Sequence, residues 1–126
     1  MAPSQRPATT DTRHAVARFN EAFNHHDVDA VMAACTEDTV LETTLPRPEG
    51  RRLAGAEVRQ YWTEFFRNSP HAKFTSEEIF AAGDRCVVRW VYRWIDSQKK
   101  AGHVRGVDIF KVRDGKIAEK LVYVKG

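Results

Sequence analysis

The sequence predicts an α+β domain, with three N-terminal helices packed on one face of a curved, mostly antiparallel sheet. Three observations lead there. Helical periodicity fills the first half of the chain, strand-and-turn patterning fills the second, and no β-α-β alternation links the two. A chain of 126 residues has room for one domain with its own core. With 42% hydrophobic and 29% charged residues, it has the balance of a globular protein rather than a fibrous or wholly disordered one.

Residues 1–10, rich in Pro, Ser and Thr, read as a flexible arm, and 11–126 as a single domain. Asp11 suits an N-cap, after which Val16, Phe19 and Phe23 recur at helical spacing beside Ala15 and Ala22. The segment 24–27 breaks that pattern, and Asp27 can cap a second helix whose apolar face is Val28, Val31, Met32 and Cys35. Residues 39–45 turn to β-favouring types, and a loop with Pro46, Pro48 and Gly50 follows. Gly55 opens a third helix carrying Val58, Tyr61, Trp62, Phe65 and Phe66, which Asn68, Ser69 and Pro70 end. Strands are then expected over 74–82, 85–95, 104–112 and 117–124, with Asp114-Gly115 as a tight hairpin turn.

Several function classes drop out. The formal net charge is only +3, and the densest basic pairs, Arg51-Arg52 and Lys99-Lys100, fall in loops, so nucleic acid is not an expected partner. The longest apolar run, from Ala30 to Cys35, is too short to span a bilayer. The first ten residues lack the apolar block of a secretion signal, so a cytoplasmic protein with no membrane partner is expected. Cys35 and Cys86 lie far apart in apolar stretches and suit the core, although their number also allows one disulfide. No Gly-rich phosphate loop, Gly-x-Ser-x-Gly elbow or metal-type spacing is present, and no cofactor or metal is expected. Residues 85–95 place Cys86, Val88, Trp90, Tyr92 and Trp94 on one face and Val87, Arg89, Val91, Arg93 and Ile95 on the other. Helices cover one face of an open sheet, so the other is expected to meet a second copy in a homodimer.

The segments Phe19-Asn-Glu-Ala-Phe-Asn-His-His-Asp27, Thr36-Glu-Asp-Thr-Val-Leu-Glu42 and Arg105-Gly-Val-Asp-Ile-Phe-Lys-Val-Arg-Asp-Gly-Lys-Ile117 resemble the nuclear transport factor 2-like (NTF2-like) superfamily. Within it the chain is most similar to the SnoaL-like and ketosteroid isomerase-like branch. The resemblance implies a cone of three helices on a bent sheet around an apolar cavity. It also implies a repertoire of isomerases, polyketide cyclases, epoxide hydrolases, dehydratases and members without activity. Carried over by position, Asp108 matches the oxyanion Asp of the isomerases, while Thr43 stands at the general-base position and Phe19 at that of the oxyanion Tyr. Neither replacement can do that work, so steroid isomerisation by that route is not expected. The Asp-Arg-Asp set of limonene epoxide hydrolase fares no better: Arg89 fits roughly, but Val91 and Val122 replace its carboxylates.

The residues themselves also single out Asp108, a lone carboxyl in the apolar row Val104, Gly106, Phe110 and Val112. Burial there disfavours its charge and suits it to proton transfer, whereas an ion pair with Arg89, Arg93 or Arg105 would do the opposite. His103 and Glu42 are the other catalytic candidates. Alternation turns both away from the cavity unless a bulge intervenes. His25 and His26, with no third ligand, read as surface residues, and His71 carries no signal. Phe19, Thr43, Trp62, Phe66, Arg89 and Phe110 are the expected substrate-binding set. Three functions fit: a cofactor-independent proton-transfer enzyme (isomerase, cyclase or lyase) acting on a small, largely apolar molecule, a binding module with the same pocket, or a module that associates through the Trp90, Tyr92 and Trp94 face.

Overall fold

The structure, a computed structural model, describes residues 9–125. The elements run α1 (Thr9–Asn24), α2 (Val28–Ala33), β1 (Cys35–Glu42), β2 (Arg52–Ala54), α3 (Ala56–Asn68), β3 (Lys73–Ala82), β4 (Arg85–Ile95), β5 (Ala101–Arg113) and β6 (Lys116–Val124). The strands form one six-stranded sheet in the order β2-β1-β6-β5-β4-β3, antiparallel throughout except for the parallel β1–β6 pair. Three helices on a curved, mostly antiparallel sheet are the architecture the residue pattern implied. No helix among the described residues is long and apolar enough to cross a membrane.

The helices differ from expectation at their ends. Helix α1 begins at Thr9, so Asp11 lies inside its first turn rather than capping it. The start is docked on the β3–β4 turn, where the Thr12 hydroxyl donates to the Gly83 carbonyl and the Gly83 N–H donates to Thr9. Of the expected arm, Thr9 and Thr10 are therefore helical, and 1–8 lie outside the described residues. Asp27 caps α2 as expected, its carboxylate accepting the Ala30 N–H at 3.0 Å. Cys35 leaves that helix because Ile117 bonds the Ala34 carbonyl and pairs with Cys35, drawing the chain into β1 four residues earlier than propensity suggests. Strand β2 has only three residues, too few for alternation to register.

The concave face carries the core. Phe19 and Phe23 of α1, Trp62 and Phe66 of α3, and Cys86, Val88, Trp90 and Phe110 of the sheet are buried together. Phe23 is the hub, with ring centroids 4.8 Å from Trp62, 5.0 Å from Phe66 and 5.1 Å from Phe74. Trp90 and Tyr92 pack on Phe74 at 5.0 and 4.5 Å, so the aromatic row of β4 faces inward. Association through that row is not favoured, because helices and β3 cover Trp90 and half-bury Tyr92, although Trp94 at its end stays exposed. Register shifts within β3 and between β5 and β6 bend the sheet. At the sheet edge, the Asn24 amide donates to the Phe74 carbonyl and its oxygen accepts the Phe74 N–H, tying the end of α1 to β3.

Trp90 pairs across β4–β5 with Gly106, and its ring lies on the glycine backbone. A Cβ at Gly106 would sit 2.4 Å from the indole and 2.6 Å from the Tyr123 carbonyl. Gly106→Val is therefore expected to destabilise the fold by about 1–3 kcal/mol, read as a lower urea midpoint with an unchanged slope. Wild-type stability in that variant would show that the indole does not need the glycine.

Candidate active site

Two charged side chains are buried in the concave core. Asp108 of β5 is 5% exposed and Lys120 of β6 is 8% exposed. The Lys120 Nζ lies 3.4 Å from Asp108 Oδ2, and Asp108 Oδ1 has no hydrogen-bond partner. Aromatic rings surround the ammonium, with centroids of Trp62 at 5.1 Å, Phe23 at 5.8 Å, and Phe19 and Phe110 each at 5.9 Å. Ring faces attract a cation, so this cage supplies part of what lost water would have given Lys120.

Burial holds the Asp108 carboxyl above the usual carboxylate range, and this outweighs the opposing pull of Lys120 and of the nearby Trp90 N–H. The indole favours the charged carboxylate electrostatically, yet its Nε1 completes no hydrogen bond. Asp108 is thus a carboxyl that holds its proton more readily than a solvated one. The thiols offer no competing nucleophile: burial pushes Cys35 up to about 11, against a Thr39 hydrogen bond and the Lys120 charge, and also raises Cys86.

Two adjoining cavities meet at Lys120. Asp108 and Lys120 line a chamber of about 20 Å³, room for one water, with Phe19, Asn20, Phe23, Asn24, Phe74 and Trp90 among its walls. A second cavity, of about 170 Å³, is lined mainly by Leu41, Thr43, Tyr61, Trp62, Phe65, Tyr92 and Val104. Phe23, Phe74, Trp90 and Lys120 border both. The larger space is aromatic, with the Lys120 ammonium and the Tyr61 phenol among its polar groups. Burial raises the Tyr61 hydroxyl, which keeps its proton.

The structure separates the remaining candidates. His103 points to the convex face, where it pairs across strands with Arg93 rather than approaching Asp108. Glu42 bonds Arg52 at 3.0 Å on the outside, and no bulge turns it inward. Arg89 alternates away from Trp90 onto the convex face, where it meets Glu78 at 3.6 Å, so it cannot orient a ligand in the cavity. None of the three expected arginines reaches Asp108; Lys120 is its ion-pair partner. Phe19 lines the small chamber, and Thr43 and Trp62 line the larger cavity. The Thr43 hydroxyl is engaged locally, donating to the Leu45 carbonyl and accepting the Arg51 N–H. Phe66 and Phe110 are core residues that line neither space: Phe66 stacks on His26 at 4.7 Å, and Phe110 packs edge-on to Phe19 at 5.6 Å.

Lys120 was missed. The available signal was alternation within β6, which sets it on the face of the apolar Ala118, Val122 and Val124. Among the described residues, no group of three His, Cys, Asp or Glu could hold a metal ion.

Two outcomes follow for stability. A raised folded-state pKa means that the proton on Asp108 stabilises the fold at acid pH. That contribution is lost as pH rises through the raised value. The stability gap between wild type and Asp108→Asn should therefore move in favour of the variant as pH increases from 4 to 8 (roughly the span from a normal carboxylate pKa upward), measured by urea unfolding; a gap moving the other way refutes the raised carboxyl. Replacing the pair together, as Asp108→Leu with Lys120→Met, should leave stability unchanged or raise it by about 1–4 kcal/mol, whereas Asp108→Leu alone should lower it by about 3–5 kcal/mol.

Comparison with known proteins agrees with this architecture. The model of the SnoaL-like domain family matches residues 16–120. Among functionally curated proteins, none matches. A crystal structure of an NTF2-like protein of unknown function from Mesorhizobium loti is 36% identical, covering 99% of this chain and 98% of its own, with a TM-score of 0.79. A candidate SnoaL-like polyketide cyclase from Jannaschia sp. CCS1 is 15% identical over 98% of this chain and 92% of its own, with a TM-score of 0.81. A candidate ketosteroid isomerase from Kribbella flavida is 19% identical over 94% and 80%, with a TM-score of 0.75. The last two likenesses are of fold alone. A domain match over most of the chain, together with the Mesorhizobium likeness along nearly all of it, makes this protein a member of the SnoaL-like family within the NTF2-like fold.

Proposed function

We propose that the protein is an enzyme that moves a proton on a small, largely apolar carbonyl compound, giving isomerisation, cyclisation or dehydration. The observation that carries this reading is the buried Asp108–Lys120 pair on the wall of an aromatic cavity. A burial cost only partly compensated by the aromatic cage is hard to explain by stability alone, and such pairs concentrate where proton chemistry is done.

In this reading the apolar body of the substrate rests among Trp62, Phe65 and Tyr92, and its carbonyl oxygen meets the Lys120 ammonium. As the neighbouring carbon loses its proton, the electron pair moves into the carbonyl and the oxygen becomes an enolate. Lys120 donates a hydrogen bond to that growing charge from a site that excludes water. The deprotonated Asp108, through the Oδ1 that Lys120 leaves free, accepts the proton and returns it to a second carbon or to a leaving oxygen. A substrate spanning the shared boundary of the two cavities meets both groups. This set replaces the roles that Thr43 and Phe19 cannot fill.

Solvent-deuterium exchange into a panel of aryl ketones, followed by proton NMR, tests it. The wild-type protein should accelerate exchange of the acidic C–H. Lys120→Met should lower the rate by about 10²–10³-fold and Asp108→Asn by a similar factor. Ketones that bind but never exchange, or exchange untouched by either substitution, would leave only a binding role.

We also propose a homodimer through the convex face. Phe80, Val87, Ile109 and Leu121 align across β3, β4, β5 and β6 as an apolar row, and Phe80 is 54% exposed. Ile109→Lys should convert the dimer to a folded monomer in sedimentation velocity; a monomeric wild type would refute the assembly.

A further inference from the structure

Two buried polar groups at the heart of the domain lack a partner within it. Trp90 is 4% exposed and Asp108 is 5% exposed, yet neither the indole Nε1–H nor the carboxyl Oδ1 completes a hydrogen bond. An unmet buried donor and an unmet buried acceptor each destabilise a fold, so both call for an explanation. The two groups share the concave side of the sheet: Asp108 pairs across strands with Val88, two residues before Trp90. Lys120 already answers Oδ2, which leaves Oδ1 as the open acceptor.

Both residues line the small chamber, whose volume of about 20 Å³ admits a single water. Toward the larger aromatic cavity its walls are Phe23, Phe74 and Trp90, which the two spaces share. Its other walls are polar. Helix α1 contributes Asn20 and Asn24, four residues apart on one face, and β3 contributes Ser76, the direct cross-strand partner of Trp90. Asn20 is half-buried, and Asn24 and Ser76 are exposed, so this polar side runs out to solvent between α1 and β3. The Asn24 amide is committed to the Phe74 backbone. Among the described residues, the side chains of Asn20 and Ser76 have no hydrogen-bond partner.

We propose that this chamber binds one water, which links the Asp108 carboxyl to solvent through the gap between α1 and β3. Donors and acceptors match. The water oxygen accepts the Trp90 Nε1–H, one of its O–H groups donates to Asp108 Oδ1, and the other donates to the Asn20 amide oxygen. Three bonds are usual for an internal water. Its use as a proton route rests on the reaction proposed above. A proton that Asp108 has taken from substrate then leaves without crossing the occupied aromatic cavity. The carboxyl O–H bond breaks as an O–H bond forms on the water oxygen; the water's outward O–H bond breaks in turn, and its proton passes to solvent beside Ser76. The carboxylate left behind faces the Lys120 ammonium.

Cross-relaxation between water and the indole protons of the isotope-labelled full chain, measured by NMR, tests this. The chain has three tryptophans, and the indole signal lost in Trp90→Phe assigns the resonance. In the wild type that proton should show Overhauser cross-peaks to water, with the sign of a molecule held longer than the protein takes to tumble. Their position at the bulk water frequency would show that the held molecule exchanges with solvent. Asn20→Leu, which fills the chamber and removes the amide, should abolish them, with unchanged Trp62 and Trp94 signals showing that the variant is folded. Ser76→Ala should keep them, which separates a bound water from a serine hydroxyl. A wild type without the cross-peaks, cross-peaks that survive Asn20→Leu, or their loss in Ser76→Ala overturns the proposal. When a β,γ-unsaturated aryl ketone is isomerised in heavy water, the wild-type product should carry deuterium and the Asn20→Leu product should keep the substrate's own hydrogen. Deuterium in both products removes the proton route. If no ketone is isomerised, the proposed reaction fails, and the indole signal still decides the water site.

Discussion

The interior of this domain is organised around one ion pair that has given up almost all of its water. An ammonium and a carboxylate 3.4 Å apart attract strongly, but removing both from solvent costs several kcal/mol per ion. The surroundings offset this unequally. Lys120 is ringed by four aromatic faces, while Asp108 keeps one oxygen without a partner. The imbalance lets burial prevail over the neighbouring cation in setting the carboxyl's affinity for its proton. Much of the rest serves to hold that arrangement: Phe19 and Phe23 come from α1, Trp62 from α3 and Phe110 from β5, so three separate elements must be in place before the cage exists.

The exterior follows another rule. Carboxylates and guanidiniums interleave across most of the convex face, and exposed pairs of this kind contribute little to stability. Their value lies in neutralising charge on a surface that also presents a row of apolar residues. The end of the sheet where Arg93 pairs with Lys73 and His103 departs from this pattern, as does the buried lysine within. In both places the chain tolerates a local electrostatic cost, and both lie beside a concavity.

The fold was legible because its signals are periodic. The aromatic stripes of α1 and α3, the Asp27 cap and the Asp-Gly turn each act over a few residues, and tertiary packing agrees with them. Where local preference and long-range pairing compete, the sequence misleads: Cys35 continues a helical face yet joins β1, because Ile117 supplies a strand partner eighty-two positions away. The site was half legible. Asp108 is conspicuous as a carboxyl in an apolar row, and alternation turns Glu42 outward as the chain alone implied. Lys120 stayed hidden because a lysine in a terminal strand so commonly lies at the surface that its phase among Ala118, Val122 and Val124 was the only clue. Arg89 was misplaced for want of the information that Trp90, its neighbour, takes the inner side.

The link between Asn24 and Phe74 has a consequence for the behaviour of the folded chain at high concentration. Strand β3 is the last in the sheet, and its outward amide and carbonyl groups could template another molecule's strand. Here one of those N–H/C=O pairs is already answered by a side-chain amide that mimics a neighbouring backbone, and the bulge beside Glu77 spoils the straight run beyond it. At the opposite margin β2 spans just three residues. Both borders of the sheet are thereby poor seeds for fibril growth, a safeguard against aggregation built from one asparagine, one irregularity and one truncated strand.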